Sequence, residues 1–149
     1  MEIKVNTPMK SLGIVIKKNE VFYSVIEGEN ADSSEIKESG KEKFNCESTT
    51  LMSDFNCIFI QLLSKYSPNV VSYKLSQDVT LSNISYLHYS MGVLKLLCEK
   101  SSIQIIERSH QWIIAKHKSK ISNFQNAFPN CRYKNDQLVS AVVAWYGIG

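Results

Sequence analysis

Residues 12–26, LGIVIKKNEVFYSVI, hold two short runs of mostly β-branched and aromatic side chains. The first run covers residues 12–16, the second covers residues 21–26, and four polar residues separate them. A short polar break between two such runs predicts a β-hairpin, because it lets neighbouring strands pair antiparallel. The regular structure of the chain is therefore expected to begin with two paired strands.

Strand patterns continue beyond the hairpin. Residues 27–40 are acidic and Ser-rich, which predicts an exposed loop, and residues 41–48 have the pattern of a third strand at an edge of the sheet. Residues 70–73 and 103–107 are short apolar runs, which predict two buried strands. Together these segments give five strands.

Apolar residues recur every three or four positions in residues 53–66 and 81–100, and this period predicts amphipathic helices. Ser53 is the expected cap of the first helix, and Ser109 is the expected cap of a short helix after the last strand. A C-terminal helix is expected with Asp136 at or near its first turn. The order β-β-β-α-β-α-β-α-α predicts an α/β fold in which helices flank a five-stranded mixed sheet.

Length and composition fit one globular domain. The chain has 149 residues, of which 44% are hydrophobic and 21% are charged, and its formal net charge is +3. The four cysteines lack metal-binding spacing, and no apolar stretch approaches the roughly 20 residues that cross a bilayer. We expect a single cytoplasmic domain without membrane contact or a small-molecule cofactor, divided as residues 1–149 for the domain, 1–10 for an N-terminal extension and 116–134 for a basic loop region.

Three stretches share their pattern with a known superfamily. They are residues 13–17 (GIVIK) with the hairpin that follows, residues 70–74 (VVSYK) with the next helix and the segment IQIIERSHQWI, and Asn135 with Asp136 at the start of the last helix. In these stretches the chain resembles the ribonuclease H-like superfamily, in particular its RuvC-like branch. Within that branch it is most similar to a group of small bacterial proteins of similar length.

The resemblance implies a site where two metal ions cleave a phosphodiester bond, which needs oxygen ligands held close together. The family's carboxylates come from the first strand, the fourth strand and the last helix, at positions that fall on Val15, Lys74 and Asp136. Val15 offers no ligand, and Lys74 would place a cation where a metal ion should bind. We therefore predict a non-catalytic domain without a metal, in which these three side chains converge.

An alternative retains the family chemistry. In it, Glu107 or Asp78 supplies a replacement ligand beside Asp136, and the chain is a metal-dependent nuclease that uses Mg²⁺ or Mn²⁺. A third alternative is a structural or interaction module without affinity for nucleic acid.

A basic stretch near the C-terminus predicts phosphate contacts. Lys116, Lys118 and Lys120 form its centre, and Arg132 and Lys134 follow. A solvated loop on a mildly basic protein would have the same pattern. The leading hypothesis is a domain that acts by binding nucleic acid or a protein partner.

The resemblance also favours a homodimer. Tyr86, Tyr89 and Met91 lie on the long helix predicted at residues 81–100 and could form a self-association face, where the small Gly92 would permit a second chain to approach closely. Packing of this helix against the sheet is the simpler alternative.

Overall fold

A computed structural model describes residues 8–17, 19–45, 47–75, 81–109, 112–113 and 119–148, with only the backbone described for residues 75, 81–87 and 119. The order of the five strands, the first two helices and the C-terminal helix agrees with the predicted one. The strands and helices are β1 (Met9–Lys17), β2 (Glu20–Gly28), β3 (Ser34–Lys43), α1 (Leu51–Tyr66), β4 (Val70–Leu75), α2 (Leu81–Lys100), β5 (Gln104–Arg108), α3 (Ser119–Ala127) and α4 (Asn135–Ile148).

The five strands form one mixed sheet in the order β3-β2-β1-β4-β5. β1 pairs antiparallel with β2, and β2 pairs antiparallel with β3, as a chain of hairpins requires. β4 runs parallel to both β1 and β5, and the connections that parallel pairing needs contain α1 and α2. The predicted five-stranded mixed sheet is confirmed.

The two faces of the sheet carry different layers, because successive side chains of a strand point to opposite faces. Leu12 and Ile14 of β1 pack with Phe55 and Phe59 of α1 and with Leu94 of α2 in one core cluster. The opposite face lies under α4. The resulting arrangement is a sheet between two helical layers.

Very close packing holds α4 on its face of the sheet. A Cβ atom added to Gly13 of β1 would lie 2.0 Å from the Ser140 carbonyl oxygen and 2.7 Å from the Ala144 Cβ atom. Buried Val142 and Trp145 complete a second core cluster around this helix. α4 therefore has little freedom to shift, and its first turn is fixed over the sheet.

Two predicted segments differ from the structure. The acidic loop predicted at residues 27–40 is wrong, because β2 continues to Gly28 and β3 already begins at Ser34. The third strand predicted at residues 41–48 is correspondingly shifted. β3 lies at the edge of the sheet, where exposed charged side chains are common, so its polarity resembled that of a loop.

Smaller differences concern the ends of elements. α1 begins at Leu51 with Thr50 as its N-cap residue, so the predicted cap at Ser53 is wrong. β1 includes Met9 and Lys10, which shortens the predicted extension at residues 1–10. The cap at Ser109 is confirmed, since its Oγ accepts a hydrogen bond of 3.1 Å from the Trp112 backbone N–H.

The basic loop predicted at residues 116–134 is also wrong in part. Residues 119–127 form α3, and residues 116–118 lie outside the described residues. Among the helices that the structure describes, none is long and apolar enough to cross a membrane.

Candidate functional site

One residue from each strand forms a continuous row across the sheet. The register pairs β3 with β2, β2 with β1, β1 with β4 and β4 with β5, and the row consists of Lys41, Phe22, Val15, Lys74 and Arg108. Directly paired residues point to the same face. Gly13, two positions before Val15, lies against α4, so the row faces α4. Three of the five side chains are cationic.

Asp136 lies above this row, in the first turn of α4. Its Oδ2 atom is 3.2 Å from the Nζ atom of Lys17, which follows Val15 by two positions and therefore points to the same face. Asp136 and Lys74 line one cleft, and the Asp136 carboxylate acts electrostatically on Lys74. The structure thus brings together Val15, Lys74 and Asp136.

Lys74, on β4, is the buried cation of the row. Only 7% of its surface is exposed, and it forms no hydrogen bond or ion pair with any described residue. Burial lowers the pKa of Lys74, the nearby Asp136 carboxylate opposes that decrease, and the Lys17 cation adds to it. A charge in such surroundings is strongly attracted to an incoming anion.

The cleft around Lys74 has a volume of about 780 Å³. Four lysines line it, namely Lys17, Lys41, Lys74 and Lys134. Two acids oppose them, because Asp136 pairs with Lys17 and the Glu20 Oε2 atom lies 3.5 Å from the Lys41 Nζ atom. The cleft therefore retains an excess of positive charge.

Apolar side chains form the rest of the wall. They come from β2, the segment after β5, α3 and α4, and they are Phe22, Ile113, Ile121, Leu138 and Val139. Apolar surroundings strengthen electrostatic interactions because they exclude water. An anion in this cleft would therefore bind its lysines more tightly than an anion on an open surface.

The residues present do not fit the two-metal centre that the fold implies. Such a centre needs several oxygen ligands, and this site offers a hydrocarbon at Val15, a cation at Lys74 and one acid at Asp136 that is already paired with a lysine. No group of three His, Cys, Asp or Glu side chains suited to a metal ion occurs in the described part of the chain.

Glu107 cannot complete a ligand set with Asp136. It pairs with Tyr73, whose side chain lies in the core on the α1 and α2 face, so Glu107 points away from the cleft. There it interacts with the Tyr73 hydroxyl, whose pKa is raised by burial and by the Glu107 carboxylate. Glu107 as a replacement ligand is therefore wrong, and Asp78 lies outside the described residues.

The predicted basic residues do not form one cluster in the described structure. Lys116 and Lys118 lie outside the described residues, and Arg132 is exposed without lining the cleft. Lys134 lines the cleft directly. The Lys120 Nζ atom lies 4.8 Å from the centre of the Trp112 ring, close to the β5 edge of the sheet.

Sequence patterns missed three cations of the site. Lys17, Lys41 and Arg108 each belong to a different strand, and only the strand register brings them near Lys74. Arg108 also stacks on Trp112, with its guanidinium carbon 4.3 Å from the ring centre. The alternation of side chains along β1 was the one available signal, since it places Lys17 on the face of Val15.

Solved structures share this architecture. Thermus thermophilus RuvC superposes with a TM-score of 0.71 at 10% identity, over 92% of each chain. The T. thermophilus RuvC in complex with a Holliday junction substrate gives 0.71 at 10% identity, over 92% of this chain and 90% of that one. The yeast mitochondrial Holliday junction resolvase Ydc2 gives 0.70 at 13% identity, over 94% of this chain and 78% of that one.

Neither a protein-family model nor a curated protein sequence matches the chain. The structural similarity nevertheless extends over nearly its whole length. The chain has the ribonuclease H-like fold in its RuvC-like form, as the sequence motifs predicted.

Proposed function

We propose that this chain is a non-catalytic RuvC-like domain that binds nucleic acid, with backbone phosphates held in the lysine-lined cleft. The observation that carries the proposal is Lys74, a buried cation that forms no hydrogen bond or ion pair with any described residue and feels the Asp136 carboxylate only electrostatically, at a position where the resemblance implies a metal-binding carboxylate. A buried charge is costly unless it is paired, so its retention favours a ligand of opposite charge.

Nucleic acid is the anion that suits this site best. Lysine binds phosphate as a point charge, and several lysines along one surface are the usual electrostatic footprint of a protein that binds a phosphate backbone. The similar structures include a RuvC in complex with a Holliday junction substrate, which supports a nucleic-acid partner for this fold.

Salt-dependent binding to DNA tests the proposal. We expect duplex and branched DNA to bind with an affinity that falls steeply as salt rises, because phosphate contacts release counterions. Replacing Lys41 and Lys134 with Gln should weaken binding and reduce the slope of log affinity against log salt by about one per lost contact. Fluorescence anisotropy measures both quantities.

The matched control replaces Lys37 and Lys65 with Gln. Both lysines are exposed and lie outside the cleft, where they pair with Glu35 and Glu38. The control should retain the affinity and salt slope of the unchanged protein. Equal losses in the two double variants would mean that the cleft is not the binding surface.

The non-catalytic part of the proposal has a separate test. Branched and single-stranded DNA should remain intact with Mg²⁺ or Mn²⁺, because the cleft lacks a set of oxygen ligands. Cleavage that EDTA stops and that Asp136→Ala abolishes would establish the nuclease alternative instead.

We also propose that the chain forms a homodimer through α2 and acts in the cytoplasm. Tyr89 and Leu96 are large exposed side chains at helical spacing on α2, and a Cβ atom added at Gly92 between them would contact nothing within 4 Å. The outer side of α2 therefore offers two large apolar side chains and a close approach at Gly92 to a second copy of α2. Met91 of the predicted face instead packs against the core cluster of α1 and α2, and the Tyr86 side chain lies outside the described residues. The free thiols of Cys57, Cys98 and Cys131 support a reducing compartment.

A further inference from the structure

The first turn of α4 and the lysines of the sheet enclose the same space. Asn135, Asp136 and Gln137 line the cleft together with Lys74 and Lys17. The first amides of a helix have no acceptor within the helix, and their dipoles favour an anion at this end. The first turn of α4 and these lysines therefore both attract a negatively charged group to the same part of the cleft.

The Asp136 carboxylate already provides a negative charge in this part of the cleft. It lies 3.2 Å from Lys17, and it acts on Lys74 as the attractive charge that opposes the effect of burial. Among the residues that line the cleft, it is the one acid against four lysines. Its position is that of a counter-ion for the lysines.

The sign of the charge decides which ligand competes with Asp136. A divalent cation would add two positive charges to a site that already holds an excess of them, with a buried lysine at its centre. A phosphodiester would bring one negative charge and two free oxygens, which the lysines and the first turn of α4 can contact. The site therefore favours the phosphate.

We propose that Asp136 is an internal substitute for phosphate: it neutralises Lys17 and Lys74 in the free protein, and a backbone phosphate of the nucleic acid displaces it from them on binding. This inference rests on the proposed function and adds a regulatory contact to it. It also reverses the role of the residue, because the acid that would hold a metal ion in a nuclease opposes the ligand here.

The variant Asp136→Asn tests the inference directly, since it removes the charge and keeps the shape of the side chain. We expect this variant to bind a duplex DNA probe roughly tenfold more tightly than the unchanged protein, with EDTA present throughout. EDTA removes any metal-bridged contact, so the change in affinity reports only the loss of the carboxylate charge. Asp136→Ser keeps a residue that favours helix starts and should give the same gain.

A double-mutant cycle assigns the gain to the cleft. Lys74→Gln in the Asp136→Asn background should remove most of the gain, because the two side chains act on the same phosphate. Glu38→Gln is the control for net charge, since Glu38 also pairs with a lysine, Lys65, at 3.5 Å, but does not line the cleft. It should change the affinity by less than about twofold.

The outcomes separate the two proposals. If the unchanged protein binds DNA and Asp136→Asn binds it equally or less tightly, the displacement mechanism is wrong while nucleic-acid binding stands. The mechanism is also wrong if Glu38→Gln gives the same gain as Asp136→Asn. If neither the unchanged protein nor Asp136→Asn binds DNA, the proposed function fails and the inference fails with it.

Discussion

At the residue scale, Lys74 is expected to lower the stability of the folded state in favour of the proposed binding site. Its neighbours on β1 and β5 are Val15 and Arg108, so neither strand offers it an acid, and its side chain is almost fully buried. A buried charge without a close partner destabilises the folded state. Costs of this kind are characteristic of functional sites, where the group is needed for a ligand.

Lys74→Met should therefore stabilise the protein. The substitution keeps an unbranched side chain of nearly the same length and removes its charge, and we expect the free energy of unfolding at pH 7 to rise by about 1–3 kcal/mol. Urea denaturation measures the change. Lys43→Met, at an exposed lysine of β3, is the control and should change stability by less than about 0.5 kcal/mol.

The gain from Lys74→Met should depend on pH. The folded state lowers the pKa of Lys74 below 10.5, so between the two values the unfolded chain binds more protons than the folded one. The unchanged protein therefore gains stability as pH rises through this range, and the advantage of the variant should shrink towards pH 10.5. An advantage that stays constant across the range would mean that burial of the charge is not its cause.

Three positions of the site could be predicted from the sequence, and three others could not. Val15, Lys74 and Asp136 lie in short motifs, so the resemblance located them before any coordinates did. The strand register that adds Lys41 and Arg108 joins residues far apart in the chain, which local patterns do not encode. The prediction that Glu107 is a replacement ligand was wrong by a single position. A shift of one residue along a strand moves a side chain to the other face of the sheet.

At the scale of elements, strands and helices with one apolar face were easy to recognise and the edge strand was not. α1 has its buried residues Phe55, Phe59 and Leu62 on one side, which the sequence shows as a period of three to four. β3 has no such contrast, because it lies at the edge of the sheet and none of its residues is buried. Its pairing with β2 is decided by tertiary contacts.

The contact between α4 and β1 gives a prediction at this scale. Gly13→Ala should lower the free energy of unfolding by at least about 2 kcal/mol, because its Cβ atom would overlap the Ser140 carbonyl oxygen and push α4 from the sheet. The variant should also lose DNA affinity, since the first turn of α4 lines the cleft. Urea denaturation and anisotropy measure the two effects.

Gly92→Ala is the matched control, because a Cβ atom at Gly92 would contact nothing within 4 Å. In protein dilute enough to be monomeric, it should raise stability by up to about 1 kcal/mol, as expected for an exposed helical glycine. If Gly13→Ala behaves like Gly92→Ala, α4 is not packed on β1 as closely as described.

For the whole molecule, the sheet separates the two surfaces to which different roles are proposed. α4 and the lysine-lined cleft lie on one face, while α2 packs on the other through Val93, Leu94 and Cys98. A dimer formed through the outer side of α2 would therefore leave both clefts open and directed away from the interface. Such an assembly can bind two segments of nucleic acid at once, which raises its overall affinity for branched DNA above that of one cleft.

Leu96→Glu tests this arrangement, because it places a charge in the centre of the proposed α2 interface. Light scattering should show twice the chain mass of 16.9 kDa for the unchanged protein and a single chain mass for the variant. The variant should keep its affinity for short duplex DNA and lose the added affinity for branched DNA, since each cleft is intact and only the link between them is broken. Ile60→Glu makes the same change at an exposed position of α1 and should remain a dimer. A single chain mass for the unchanged protein would contradict the dimer and would leave binding by one cleft as the mode of action.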